Sequence, residues 1–298
     1  MQGFKPGIPL QAAELNEIQE HHYLNQSLSL NFFTQWRVYK GEDEATIQEL
    51  TGDSLRFLEF PNVFTIIRDS AAMNFRTTTL IDAALHGCLV VSCQPVDHGP
   101  MDRDDIVVAL AAAAIAGGAG GVRIEGARRV AAVSRVLDAP IIGIIKRDLT
   151  DSPIRITPFL EDVAELATAG ADIIAVDATN RPRPVPVAIL LEHIRSLGVL
   201  GMADCSNVEE ALAAHQLGFD IVGTTLSGYV GGEIPHDPDI AFIRAIAARV
   251  PRVMAEGRFN NPASAAAAID AGAWSVTVGT AITRTEVVTG WFAAALKA

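Results

Sequence analysis

The sequence predicts an α/β fold, a (β/α)8 TIM barrel with an N-terminal extension. Three observations predict it. From about residue 85 onward, short apolar runs rich in Val and Ile alternate with alanine-rich helical stretches. The runs are continuously apolar, which marks strands buried on both faces, as in a parallel sheet whose crossover helices cover it. Eight such units fit into roughly 210 residues, near the low end of the ~200–400 that closed barrels use. An open, doubly wound sheet is the competing arrangement, and the count of eight favours closure.

In chain order the runs are CLVVSCQ (88–94), GVRI (121–124), PIIGIIK (140–146), DIIAVD (172–177), VLGMAD (199–204), DIVGTT (220–225), RVMAEG (252–257) and WSVTVG (274–279). Gly120, Gly170, Gly218 and Gly272 each stand one or two residues ahead of an even-numbered run. A glycine there is expected to end the preceding helix in the left-handed conformation, so the barrel reads as four βαβα quarters. GGAGG (117–121) precedes a strand instead of opening a helix after one, which makes it a connector at the barrel bottom and not a nucleotide loop. RPRPVP (181–186) is expected to stiffen the loop over the site.

Residues 1–80 do not share this rhythm. They carry aromatics, amides and charges without a sustained period and are read as an N-terminal extension, weakly ordered or non-native, ahead of a catalytic barrel over 81–298. Met73 stands shortly before the first run, so the native chain is expected to begin there. N-terminal sequencing of the native protein decides this, and an intact Met1 would refute it.

Composition excludes several classes. With 49% hydrophobic and 19% charged residues, the chain has the material for a large core. Its net charge of −12, without a basic run, excludes a phosphate-tracking nucleic-acid surface. No stretch approaches the ~18–20 unbroken apolar residues of a membrane span, and the N-terminus lacks the layout of a signal peptide. Cys88, Cys93 and Cys205 show no CxxC spacing and no histidine at ligand spacing, so no metal site is expected and the compartment is read as the reducing cytoplasm.

In a (β/α)8 barrel the chemistry sits where strands end. Those positions supply Gln94, Arg123, Lys146, Asp177, Asp204, Ser227, Glu256 and the pair Gly279–Thr280. Lys146 and Glu256 close the third and seventh runs, four strands apart in a ring of eight, and so are expected to face one another across the mouth. For the lysine, four roles stay open on position alone: a base made available by desolvation, a Schiff-base nucleophile, a fixed cation for a substrate anion, or a salt bridge to Glu256. The loops after the seventh and eighth runs, AEGRFNNPAS and VGTAITR, offer Gly257, Arg258, Gly279 and Thr280 as a phosphate cradle, with Arg284 or Arg258 adding charge. Arg147 follows Lys146 on the opposite face and is expected to be structural.

Taken in order, VSCQP, GVRIEG, PIIGIIKRD, ITPFLEDV, IIAVDATNRPRP, MADCSN, GFDIVGTTLSGY, AEGRFNNP and VGTAITR resemble the N-acetylmannosamine-6-phosphate 2-epimerase family over about residues 85–295. The resemblance implies interconversion of N-acetylmannosamine 6-phosphate and N-acetylglucosamine 6-phosphate in sialic-acid breakdown, with no metal or organic cofactor and a small amino-sugar phosphate as partner. It puts the catalytic lysine on Lys146 and the carboxylate on Glu256. Substrate contacts fall on Gln94, Arg123, Asp204 and Arg284, with Ser227, Gly228 and Tyr229 in the loop after the sixth run. The first 80 residues depart from the family. Association through the outer helices, as a homodimer, is also expected. A Schiff-base aldolase and a non-catalytic sugar-phosphate sensor on the same barrel remain the alternatives.

Overall fold

The computed structural model describes residues 56–60, 63–67 and 75–297. The chain divides into two compact units, Met1–Ser70 and Ala71–Ala298. In the first, Arg56–Phe60 and Val63–Ile67 pair as an antiparallel hairpin. Met73 lies outside the described residues.

The second unit is a closed parallel barrel. Its strands are β1 (Leu89–Cys93), β2 (Gly121–Glu125), β3 (Ile141–Ile144), β4 (Ile173–Asp177), β5 (Leu200–Asp204), β6 (Ile221–Gly223), β7 (Val253–Glu256) and β8 (Ser275–Val278). Each pairs with the next, and β8 closes on β1 through Val276↔Leu89, Thr277↔Val90 and Val278↔Val91. Every strand falls inside one of the eight apolar runs, apart from Glu125 at the end of β2. The helices are α1 (Thr78–Leu85) before β1, then α2 (Asp104–Ala116), α3 (Ala127–Ser134), α4 (Leu160–Ala169), α5 (Val187–Ser196), α6 (Val208–Leu217), α7 (Ile240–Ala247) and α8 (Pro262–Asp270) between the strands. After β8 come a short α9 (Thr280–Thr283) and α10 (Thr285–Ala295).

Two apolar clusters explain why the runs are continuous. Val90, Ile142, Ile144, Ile173, Ala175, Met202, Ile221 and Met254 share one cluster with Ile81 and Leu85 of α1 and with Trp274. Their neighbours along each strand, Val91, Ile141, Ile174, Val176 and Ala203, belong to the second, which packs under the helices. Side chains alternate across a strand, so one set fills the barrel and the other meets the helices. Gly143 lies on the helix side, where an added Cβ would stand 2.9 Å from the Ala171 Cβ and 3.0 Å from Leu166. The glycine inside the third run therefore lets α4 approach β3.

α1 belongs to the barrel unit although it begins within the stretch assigned to the extension. Its side chains Ile81 and Leu85 are wholly buried, and Asp172 accepts from Phe75 N and Ile141 N, both at 3.0 Å, which fastens the start of this unit to the barrel bottom. Of the four helix-ending glycines, Gly170, Gly218 and Gly272 are left-handed as expected. Gly120 is not, because Gly118 takes that conformation at φ 97° and Gly87 and Gly198 do so before odd-numbered strands. The fourfold reading therefore does not extend to these turns. The final helix α10 has no buried residue, and Trp291, Phe292 and Leu296 are exposed on the single chain.

Candidate active site

Alternation along the strands decides which polar residues face inward. Counting in twos from Val90, Ile144 and Met254 brings Ser92 and Gln94, Lys146, and Glu256 to the barrel interior. Around them lies a cavity of about 300 Å³ that also takes in Arg123, Thr225 and Thr277.

The charged centre of this cavity is one buried cation between two carboxylates. Arg123 is 1% exposed; its Nη2 donates to Asp204 Oδ2 at 2.6 Å and its Nη1 to Glu256 Oε2 at 2.9 Å. Burial pushes the Glu256 carboxyl up to about 7, against the opposing pull of Arg123; the Asp204 charge adds to the rise. Arg123 itself is held above its ordinary range by Asp204 and Glu256, which outweigh its desolvation.

Lys146 stands on the same wall as the end of β3. Burial lowers its pKa, and the Arg284 and Arg123 charges act in the same direction, against Glu125 and Asp97. Among the described residues no hydrogen bond or ion pair holds its ammonium, so the salt bridge to Glu256, one of its four open roles, does not form. A second cleft of about 370 Å³ borders Lys146 on the side of Glu125 and Asp97. Its arginines are spent internally, Arg129 on Asp102 at 2.6 Å and Arg155 on Asp148 at 2.6 Å.

The lysine is held through its backbone by the segment ITPFLEDV, whose role the sequence did not show. β3 stops at Ile144, and Ile156 takes over the pairing as an antiparallel bridge to Lys146. Thr157 is buried with a left-handed backbone, φ 47°, an outlier for a β-branched residue. Its N–H donates to Ile145 O at 2.7 Å and its Oγ1 accepts from Ile145 N at 3.3 Å. The strain thus satisfies both polar groups of the residue before the lysine. Arg147, one residue on, points outward and donates to Asp162 of α4 at 2.7 Å.

Of the residues expected from the sequence, Gln94, Arg123, Lys146, Tyr229, Glu256, Gly257, Arg258, Gly279, Thr280 and Arg284 border the cavity. Asp204, Ser227 and Gly228 do not. Asp204 is fully buried beneath it, its oxygens taken by Arg123 and by the Thr225 hydroxyl at 2.6 Å. Ser227 is turned away and donates to Asp239 Oδ2 at 2.7 Å. Gly228 is a packing point at φ 74°, where an added Cβ would stand 2.9 Å from the Arg258 guanidinium. That guanidinium is committed to the loop after β6, donating to Asp237 O at 2.8 Å and to Ser227 O, and it stacks on Tyr229 at 5.3 Å. Arg284 donates to Gln94 O at 3.1 Å. The loop after β4 is pinned away from the cavity, because Arg181 and Arg183 both close on Asp177.

Ser92, Thr225 and Thr277 were not singled out from the sequence. Ser92 and Thr277 sit two residues before Gln94 and Gly279, so the period of two would have found them. Thr225 lies past the end of β6 but closes the apolar run DIVGTT, so the strand-end rule would have found it.

Comparison with known proteins identifies a family and a shared fold. The family described as "Putative N-acetylmannosamine-6-phosphate epimerase" matches residues 107–298. A relative from Proteus mirabilis, named "Putative N-acetylmannosamine-6-phosphate 2-epimerase", is 56% identical over 216 residues, 72% of this chain and 93% of its own length. One of the same name from Yersinia pseudotuberculosis is 57% identical over 213 residues, 72% of this chain and 91% of its own. The solved N-acetylmannosamine-6-phosphate 2-epimerase from Clostridium perfringens superposes with a TM-score of 0.69 at 39% identity, over 72% of this chain and 95% of that one. With a family match over most of its length, relatives above half identity and the barrel in common, the chain belongs to the N-acetylmannosamine-6-phosphate epimerase family.

Proposed function

We propose that this protein interconverts N-acetylmannosamine 6-phosphate and N-acetylglucosamine 6-phosphate, as a cytoplasmic step of sialic-acid breakdown, by removing the proton at C2 and returning it to the other face. The observation that carries this reading is that Lys146 and Glu256 border one small cavity from the ends of β3 and β7, with proton affinities drawn toward each other. Two groups of that kind suit a reaction that must both take and give a proton near neutrality.

In this reading the sugar is open at C1, so the C2 proton is α to a carbonyl. Lys146, its ammonium disfavoured by burial, takes the proton, and Glu256 from the opposite wall returns one to the other face. Arg123 borders the cavity with both terminal nitrogens on carboxylates, so its part in this reading is to hold Glu256 in place. Asp204 then acts through Arg123. In this reading the phosphate lies against the backbone of Gly257 and Arg258 and the first turn of α9 at Gly279 and Thr280, whose N–H groups would donate to it. Arg284 adds the charge there. The Arg258 guanidinium instead fastens the loop carrying Tyr229. Gln94, whose amide reaches Ser92 Oγ at 2.7 Å, is placed to orient the acetamido group.

Proton NMR of N-acetylmannosamine 6-phosphate with the enzyme in deuterated water tests this. The expected result is appearance of N-acetylglucosamine 6-phosphate with deuterium at C2. Borohydride trapping of substrate on Lys146 would support the Schiff-base aldolase instead, and phosphate binding without C2 exchange the sensor.

A further inference from the structure

Thr225 stands where the two buried carboxylates meet. Its Oγ1 lies 2.6 Å from Asp204 Oδ1 and 3.2 Å from Glu256 Oε2. Arg123 Nη1 faces the same two oxygens, at 3.2 Å and 2.9 Å. The four atoms close a ring of two donors and two acceptors. Nη1 has two protons and serves both oxygens, whereas the hydroxyl has one proton and cannot.

That shortage gives the hydroxyl two settings. With both carboxylates ionised, its proton is shared between Asp204 and Glu256. When Glu256 carries a proton on Oε2, the new O–H donates to Thr225 Oγ1, and the threonine's own proton goes wholly to Asp204. A hydroxyl donates and accepts at one atom, so it keeps a partner in both states; a methyl group has one in neither.

The backbone is built for this contact. Thr224 Oγ1 accepts from Glu256 N at 3.0 Å and donates to Glu256 O at 2.9 Å, which locks the chain after β6 to the end of β7. Gly223 leaves the room: an added Cβ would stand 2.8 Å from Thr225 Oγ1 and 3.2 Å from Asp204 Oδ1. We propose that Thr225 is a positioning residue whose hydroxyl sets the proton affinity of Glu256, holding that carboxyl in both its ionised and its protonated form. The consequence for turnover rests on the reading of Glu256 as a proton-transfer group; the effect on Glu256 itself does not.

The charges facing Glu256 are Arg123 from β2, Asp204 from β5 and Lys146 from the end of β3, and its neighbour in register on β8 is the uncharged Thr277. Arg123, Lys146 and the Thr225 hydrogen bond favour its ionised form, and burial and Asp204 oppose it. Removing the hydroxyl therefore raises the proton affinity of Glu256.

The test is a carbon-13 NMR titration of the Glu256 carboxyl in the substrate-free full chain, for wild type, Thr225→Val, Thr225→Ala and Thr225→Ser, with kcat/KM measured against pH on the same proteins. The expected result is a midpoint about one pH unit higher in the valine and alanine variants, because the hydrogen bond lost from the ionised carboxylate is stronger than the one lost from its neutral acid, and a wild-type midpoint in the serine variant. The low-pH limb of kcat/KM moves with the midpoint. Midpoints at the wild-type pH in both the valine and the alanine variants overturn the proposal. A raised midpoint with an unmoved limb supports it and instead removes Glu256 from the proton transfer.

Discussion

Replacing Lys146 by alanine lowers kcat by at least about 10²–10⁴-fold, the range one acid–base group supplies, while the circular dichroism and thermal unfolding of the barrel stay near wild type. The fold persists because, among the described residues, no hydrogen bond or ion pair rests on the side chain. What fixes this part of β3 is backbone: the bridge between residue 146 and Ile156, and the two hydrogen bonds between Ile145 and Thr157. Turnover near the wild-type rate would remove Lys146 from the mechanism.

The same pair of groups shapes the pH profile. The active form carries one proton between Lys146 and Glu256, whichever of the two holds it in a given direction. Below about 7, where burial has pushed Glu256, both are protonated and no base remains. Above the lowered pKa of Lys146 both have lost the proton and no acid remains. A bell follows, with the same two limbs in both directions, and Lys146→Ala removes its alkaline limb. A profile whose limbs differ between the two directions would contradict this sharing.

Replacing Arg123 by methionine is expected to cost about 3–5 kcal/mol of stability, the largest structural effect of a single change at the site, because it leaves Asp204 and Glu256 buried without their cation. Its pH dependence has a definite sign. The folded pKa of Glu256 lies above the ordinary carboxyl value, so its favourable contribution is full below the unfolded pKa and is lost as pH rises through about 7. Without Arg123 that loss grows. Denaturant unfolding should therefore find Arg123→Met more destabilised at pH 8 than at pH 5. Equal destabilisation at the two pH values would show that charge burial is not what Arg123 offsets.

Much of the fold was legible because a barrel strand is buried on both faces and so writes itself as an uninterrupted apolar run. β3 shows this: IIGI is strand, its glycine is the approach point of α4, and the alternation that puts Lys146 inside puts Arg147 outside on Asp162. What a strand-end polar residue does was less legible. Asp204 and Glu256 both end apolar strands, yet one is sealed under Arg123 and the other borders the cavity. Arg258 sits in a glycine-bearing loop that reads as an anion site, and its charge is spent on carbonyls of the loop after β6. What Thr157 and Thr225 hold was not legible either, since their partners lie elsewhere in the chain.

The sequence by itself determined the eight strands, that Lys146 and Arg147 point opposite ways, and that Lys146 and Glu256 close runs four apart. These are consequences of local periodicity and burial. Only the tertiary structure decided that Arg123 is spent on two carboxylates, that Lys146 has no counter-ion in contact among the described residues, that Asp204 lies beneath the cavity, and that one threonine hydroxyl stands between the acids. Those follow from distances between residues up to 133 positions apart in the chain. Whether a buried charge is paired depends on tenths of an ångström across the barrel, which no pattern along the chain records.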